Sequence, residues 1–165
     1  RRAPSSSGWL LRWFSVLSRS ASRIRSGKAQ HAEGPTAMPN SIGLRLIYVV
    51  DEDASVRDGL SRLMDSAGFQ ILPCSSVAEF LQRVERVNNA CVLLDLGAVR
   101  KCEPSVRAVL QAVAGLLPVI ALTDISASVT TRYAREVGAR LCFRKPVDSA
   151  ALFDAIDWSL PNGDQ

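Results

Sequence analysis

The sequence predicts an α/β fold, a three-layer, doubly wound sandwich in which a five-stranded parallel sheet carries helices on both faces. Two observations favour this fold. Short apolar runs alternate with segments of helical period between residues 42 and 160, which is typical of repeated strand–helix–strand units with right-handed crossovers. The run Ala90–Asp95 has almost no polar atoms before its final carboxylate, as expected for a strand buried on both faces. The chain has 165 residues, which favours one domain over residues 42–160.

The predicted strands are short and apolar, and turn residues bound most of them. The first strand ends at acidic residues that begin with Asp51, Pro73 is expected to close the second, and Asn88 with Asn89 forms the turn into the third. The strands are predicted at residues 44–50, 69–72, 90–95, 117–122 and 140–144.

Apolar residues that recur every three or four positions predict a helix after each strand. Gly68 is expected to end the first helix, Ser75 or Ser76 to cap the second, Pro104 to open the third and Asp148 to cap the last. The helices are predicted at residues 55–67, 77–87, 104–113, 126–137 and 149–160, and residues 97–103 are predicted to form a loop.

The positive charge of the chain is concentrated at its N-terminus. Residues 1–37 hold seven of the 20 basic residues and one of the 16 acidic ones, which leaves 13 basic and 15 acidic residues elsewhere, a net charge of −2. The domain is therefore mildly acidic and lacks a recognition motif, so we expect no direct nucleic-acid binding.

Residues 1–41 are predicted to be a disordered or non-native basic extension, and residues 161–165 a short C-terminal tail. Two alternatives for the extension are an amphipathic helix on a membrane surface, with Trp9 and Trp13 on its apolar face, and a targeting sequence rich in Arg and Ser. Arg12 interrupts the apolar stretch, which is too short to span a bilayer, so we expect no membrane association of the domain.

The cysteines and the single histidine narrow the chemistry. Cys74, Cys91, Cys102 and Cys142 show no CxxC spacing, which favours free thiols in a reducing cytosol and a cytoplasmic location over disulfides or zinc. Cys91 and Cys142 are interpreted as core residues. His31 lies in the extension, so the domain has neither a site built on several histidines nor a Ser-His-Asp triad.

Polar side chains follow four of the predicted strands. Asp51 and Glu52 follow the first strand, Asp95 ends the third, Thr123 ends the fourth and Lys145 follows the fifth. Each of them alone could be an ordinary strand end or turn residue. Together, at the carboxyl edge where open α/β sheets bind ligands, they predict a phosphoryl acceptor. Asp95 is then the nucleophile, Mg²⁺ and Lys145 neutralise charge, and Thr123 binds a phosphoryl oxygen.

These strand ends resemble those of the receiver domain of bacterial two-component response regulators, in the CheY-like superfamily. The matching pieces are Val49-Val50-Asp51-Glu52, Leu93-Leu94-Asp95, Val119-Ile120-Ala121-Leu122-Thr123 and Lys145-Pro146. The spacing is 44 residues from Asp51 to Asp95, 28 from Asp95 to Thr123 and 22 from Thr123 to Lys145. The resemblance covers residues 42–160. It implies a flavodoxin-like sheet of order 2-1-3-4-5. It also implies phosphotransfer to Asp95 from a histidine kinase or phosphotransfer protein, with Mg²⁺, in a domain that is a signalling module and not an ordinary enzyme.

The sequence departs from the family pattern around the site. Glu52 stands where the family prefers Asp as a metal ligand. The loop that starts at Gly97 is about two residues shorter than expected, although the Gly97 carbonyl could still bind the metal. Asp124 replaces a small residue beside the phosphoryl group. Cys142 occupies the position of an aromatic that moves together with Thr123, so the switch pair is predicted to be Thr123 and Cys142.

Two hypotheses for function follow. The first is a working phosphoacceptor receiver, whose phosphorylation changes the binding of a downstream protein target or of an output domain outside this sequence. The second is a degenerate pseudo-receiver that acts as a protein-interaction module without phosphorylation. The chain could be a stand-alone regulator or a fragment of a longer one, and a homodimer is possible.

Overall fold

The computed structural model describes residues 45–85, 88–124 and 127–160, all of which belong to one unit that spans Ser41–Gln165. Their core is a five-stranded parallel sheet of order β2-β1-β3-β4-β5, as the family resemblance implied. The strands are β1 (Leu46–Val50), β2 (Gln70–Cys74), β3 (Ala90–Asp95), β4 (Val119–Thr123) and β5 (Leu141–Arg144).

Helices follow the strands and lie on both faces of the sheet. They are α1 (Ala54–Ser66), α2 (Val77–Arg83), α3 (Leu96–Arg100), α4 (Pro104–Ala114), α5 (Ala127–Glu136) and α6 (Ser149–Ser159). The caps are local. The side chains of Asp53, Ser76 and Asp148 accept backbone N–H bonds at the starts of α1, α2 and α6, which satisfies donors that a helix leaves unpaired at its first turn.

Side chains alternate between the two faces of the sheet. One face packs against α1 and α6, and its buried cluster is Ile47, Val49, Met64, Phe69, Cys91, Leu93, Ile120, Leu122, Leu152, Ala155, Ile156 and Leu160. On the opposite face, Tyr48 packs edge-to-face on Phe80 of α2 with ring centroids 5.3 Å apart. The three central strands β1, β3 and β4 are buried along their whole length, which explains why their sequences are continuous apolar runs.

The structure corrects the predicted elements at three places. The second helix was expected to run to Val87, but α2 ends at Arg83 and the backbone of its cap residue Val84 is extended. Pro73 was expected to close the second strand, but β2 runs through it to Cys74. Because β2 is at the edge of the sheet, a residue without an N–H group is tolerated there. Part of the segment predicted as a loop is helical, since α3 begins directly after β3 and includes Gly97.

Some predictions lie outside the described residues. They include the extension at residues 1–41 and the tail at residues 161–165. Among the helices that the structure does describe, none combines the length and the apolar character needed to cross a membrane.

Candidate functional site

The carboxyl ends of β1, β3 and β5 meet at a pocket of about 550 Å³. Lys145 joins two of them, because its Nζ atom donates to Asp51 Oδ2 at 2.6 Å and to Asp95 Oδ1 at 2.8 Å. The exposed fractions of the Lys145, Asp51 and Asp95 side chains are 19%, 4% and 10%. Three charged groups from distant parts of the sequence thus form one nearly buried cluster.

The environment of Lys145 keeps it charged. Burial by itself lowers the pKa of this ammonium, but the hydrogen bonds to Asp51 and Asp95 outweigh burial, so its pKa lies above the ordinary value of 10.5. The Lys145 backbone N–H also donates to the Thr123 carbonyl at 2.8 Å. β4 therefore holds the backbone from which the lysine side chain reaches the carboxylates.

Asp51 is positioned by the turn between β1 and α1. Its Oδ1 atom accepts the Asp53 N–H at 2.9 Å, and Arg57 Nη1 donates to its backbone carbonyl at 2.8 Å. Asp53 in turn caps α1. One Asp51 oxygen therefore faces the backbone, and the other faces Lys145.

Asp95 has two structural partners. Its Oδ1 atom accepts from Lys145, while Oδ2 accepts the Ala98 N–H at 2.8 Å and so caps α3. Any other residue at position 97 would force this carboxylate to shift, since a Cβ atom there would lie 2.7 Å from Asp95 Oδ2. The sequence assigned Gly97 only a carbonyl role, and the structure gives it a steric one.

Glu52 lines the same pocket but faces its rim. Its carboxylate pairs with Lys101, which follows α3, and the exposed fractions of the two side chains are 41% and 70%. Hence the predicted convergence of three carboxylates is only partly present: Lys145 joins Asp51 and Asp95, whereas Glu52 is directed to Lys101. Asp124 is exposed and also lines the pocket.

Thr123 is buried at the end of β4, and its hydroxyl lies 3.3 Å from the Thr130 hydroxyl of α5. Tyr133, one helical turn after Thr130, lines the pocket together with Arg100 and Lys101. Thr130, Tyr133, Arg100 and Lys101 were not among the site residues predicted from the sequence. Only the i, i+3 spacing of Thr130 and Tyr133 hinted that both lie on one side of α5.

Cys142 does not have the role of a core residue. It is exposed on β5, whereas Phe143 packs against the cluster between the sheet, α1 and α6. The interpretation of Cys142 as core filler was therefore wrong, while that of Cys91 is confirmed because Cys91 is fully buried. All four cysteines are free thiols, as predicted.

The residues in the pocket fit a magnesium ion through two carboxylates. Mg²⁺ commonly takes one or two carboxylates, retains several waters and adds phosphate oxygens, and Asp51 with Asp95 supply that number. Of the other two predicted ligands, Glu52 pairs with Lys101, and Gly97 lines the pocket. Gly97 lies inside α3, where carbonyls point towards the C-terminal end of the helix. Across the described ranges 45–85, 88–124 and 127–160, no three His, Cys, Asp or Glu side chains are grouped closely enough to hold a metal.

Comparisons with known proteins identify the family. The family model of the response regulator receiver domain matches residues 47–157. The transcriptional regulatory protein FixJ of Azorhizobium caulinodans is 28% identical over 74% of this chain and 57% of its own length. The response regulator protein TodT of Pseudomonas putida is 30% identical over the same shares, 74% and 57%.

The fold also matches solved structures. A CheY-like response regulator receiver domain protein from Methanospirillum hungatei superposes with a TM-score of 0.58 at 20% identity, covering 70% of this chain and 93% of that one. The chain spans little more than half the length of the curated relatives, 57% in both cases. The family match runs from β1 into α6, and the sheet has the same strand order, so the chain belongs to the response regulator receiver domain family.

Proposed function

We propose that this domain is a phosphoacceptor: Asp95 takes a phosphoryl group from a phosphohistidine of a histidine kinase or phosphotransfer protein, and the modification changes how the domain binds a partner. The observation that carries the proposal is the double hydrogen bond of Lys145 to Asp51 and Asp95. An aspartate held beside a lysine and a second carboxylate, in an open pocket at the carboxyl edge of the sheet, supports phosphoryl transfer better than a purely structural role.

The proposed reaction is an in-line displacement at phosphorus. A carboxylate oxygen of Asp95 forms the new P–O bond while the P–N bond to the donor imidazole breaks, and the imidazole nitrogen keeps the electron pair and takes up a proton. Lys145 is within reach of the reacting carboxylate and neutralises charge on the transferred group, and the Thr123 hydroxyl donates to a phosphoryl oxygen. Mg²⁺ bound by Asp51 and Asp95 would supply further neutralisation of the phosphoryl oxygens.

The partners follow from the same proposal. Relatives such as FixJ are named transcriptional regulatory proteins, so we propose that the partner or output domain of this chain controls transcription. Receiver domains are in general not classical enzymes, and the protein donor and the protein target are the two partners that phosphotransfer needs. The four free thiols favour a reducing compartment, the cytoplasm.

Labelling with acetyl phosphate and Mg²⁺ tests the proposal. On a phosphate-affinity gel and by mass spectrometry, the wild-type chain should gain one phosphoryl group. Asp95→Asn should gain none and keep the fold, because an amide oxygen can still cap α3. Asp58→Asn, an exposed acid on α1, is the matched control and should label normally.

Two results would contradict the proposal. Labelling that survives Asp95→Asn would mean that another residue is the acceptor. A wild-type chain that remains unlabelled under conditions that label a standard receiver would instead support the pseudo-receiver hypothesis, in which the fold serves protein interaction alone.

A further inference from the structure

The ion pair of Glu52 and Lys101 joins residues 49 positions apart across the rim of the pocket. Neither residue fits a metal site that is built from acidic side chains alone. Glu52 is the acid next to Asp51, and Lys101 follows α3, a helix in a segment that was predicted to be a loop. The pair directs the Glu52 carboxylate to Lys101, whereas Asp51 and Asp95 are joined by Lys145.

The backbone leaves the position of Glu52 to its side chain. Arg57 Nη1 donates to the carbonyls of Asp51 at 2.8 Å and Glu52 at 3.5 Å, and Asp51 Oδ1 accepts the Asp53 N–H. The main chain is thus fixed on both sides of Glu52. Rotation about its side-chain bonds decides whether its carboxylate faces Lys101 or the cluster of Asp51 and Asp95.

The position of Lys101 beside the pocket depends on Asp95. It is the C-terminal cap residue of α3, and the N-terminal cap of the same helix is Asp95. Since α3 has five residues, the capping bond from Asp95 to Ala98 fixes where the Lys101 stem begins. The pKa of Lys101 is raised, first by its hydrogen bond with Glu52 and also, more weakly, by the charge of Asp95, as expected for an ammonium near both acids.

We propose that Lys101 is a positioning residue that holds Glu52 away from Asp51 and Asp95, so that a divalent cation in this pocket gains Glu52 as a ligand only by displacing Lys101. The inference rests on the proposed cation site at Asp51 and Asp95. It adds that, of the three acids predicted as metal ligands, only Asp51 and Asp95 face the cation site in the free domain, and that Lys101 sets the affinity of this site for Mg²⁺.

Calorimetric titration of the whole chain with Mg²⁺ tests the inference without any phosphorylation. Lys101→Gln should bind Mg²⁺ a few-fold more tightly than the wild type, because the energy of an exposed ion pair corresponds to a factor of about 1.5 to 5. In the Glu52→Gln background the same substitution should bring less than half of that gain. Arg100→Gln is the matched control, since it removes an equal charge from the pocket lining without touching the pair.

Titrations of five chains, namely the wild type, Lys101→Gln, Glu52→Gln, the double variant and Arg100→Gln, separate the possible outcomes. If Lys101→Gln leaves or weakens Mg²⁺ affinity, or if no variant binds Mg²⁺, the inference is wrong. An equal gain from Arg100→Gln, or a full gain that persists in the Glu52→Gln background, would show a general charge effect and would also overturn it. Phosphorylation tests the proposed function separately. If the chain binds Mg²⁺ with the expected pattern but never labels on Asp95, the proposed function is refuted and this inference is retained.

Discussion

Replacing Lys145 by Met should destabilise the folded chain more than any other single substitution in the pocket. The change keeps most of the apolar stem and removes the ammonium that donates to Asp51 and Asp95 at 2.6 and 2.8 Å. Two nearly buried carboxylates then face each other without a counter-charge, which is the condition under which breaking a buried ion pair is most costly.

The size of the effect follows from exposure. Breaking a fully buried pair by removing one partner costs about 3–5 kcal/mol. The Lys145 side chain is 19% exposed, and solvent at the open pocket relieves part of the repulsion, so we expect a loss of about 2–3 kcal/mol in the free energy of unfolding. For a domain of this size each kcal/mol lowers the melting temperature by about 4 °C, so the midpoint should fall by about 8–12 °C.

Urea unfolding of the wild type, Lys145→Met and the double variant Lys145→Met with Asp51→Asn measures the effect. The second substitution removes one of the two repelling charges, so the double variant should recover at least half of the loss. Mg²⁺ should stabilise Lys145→Met more than the wild type, because the cation no longer competes with the ammonium. The claim that the three charges form an energetic unit would be refuted if the free energy of unfolding of Lys145→Met lay within about 0.5 kcal/mol of the wild-type value, which is the margin typical of ordinary surface substitutions.

Two further predictions follow from glycine 97 and from a buried thiol. Gly97→Ala should reduce Asp95 labelling by about tenfold or more, since its Cβ would lie 2.7 Å from Asp95 Oδ2. This corresponds to about 1.4 kcal/mol on the activation free energy of the reaction. In the control Gly59→Ala the new Cβ has no atom within 4 Å, so this variant should label normally and gain about 0.5–1 kcal/mol of stability. Burial raises the pKa of Cys91 from 9.0 to about 12. Between pH 9 and 10.5 the unfolded chain therefore loses the thiol proton while the folded chain keeps it. Through this group, the free energy of unfolding then falls by about 1.4 kcal/mol per pH unit. Cys91→Val should remove this contribution to the slope in denaturant titrations. Cys142→Val should change the slope less, because that residue is exposed and burial raises the pKa of its thiol without the large shift seen for Cys91. Equal slopes in all three chains would show that Cys91 is not a source.

The sheet and the positions of the strand ends could be predicted because they follow from simple periodicity. Central strands such as Ala90–Asp95 are buried on both faces, so nearly every residue in them is apolar. Parallel strands bring their carboxyl ends to one edge, and this places Asp51, Asp95 and Lys145 together whatever their sequence separation. The cluster that Lys145 forms with the two aspartates confirms that argument in atomic detail.

The details that the sequence did not reveal depend on short or long-range features. α3 has five residues, too few to show a helical period. Its N-terminal cap is Asp95, which was predicted only as the phosphoryl acceptor. The pair of Glu52 and Lys101 joins two flexible side chains across 49 positions, so no local pattern encodes it. Cys142 was misplaced because the edge strand β5 exposes alternate residues, whereas this cysteine was interpreted as a core residue.

The two oxygens of Asp95 connect the proposed chemistry to the rest of the fold. Oδ1 accepts from Lys145 beyond β5, and Oδ2 accepts from Ala98 in α3. A phosphoryl group on either oxygen turns it into the bridging oxygen of an acyl phosphate, which is a weaker acceptor than a carboxylate oxygen, so the proposed modification would weaken one of these two bonds. α3 packs against α5, and α5 carries Thr130, whose hydroxyl lies beside that of Thr123. Physical connections from Asp95 and Thr123 therefore lead to α5, in addition to the bonds that Lys145 makes with both residues beyond β5.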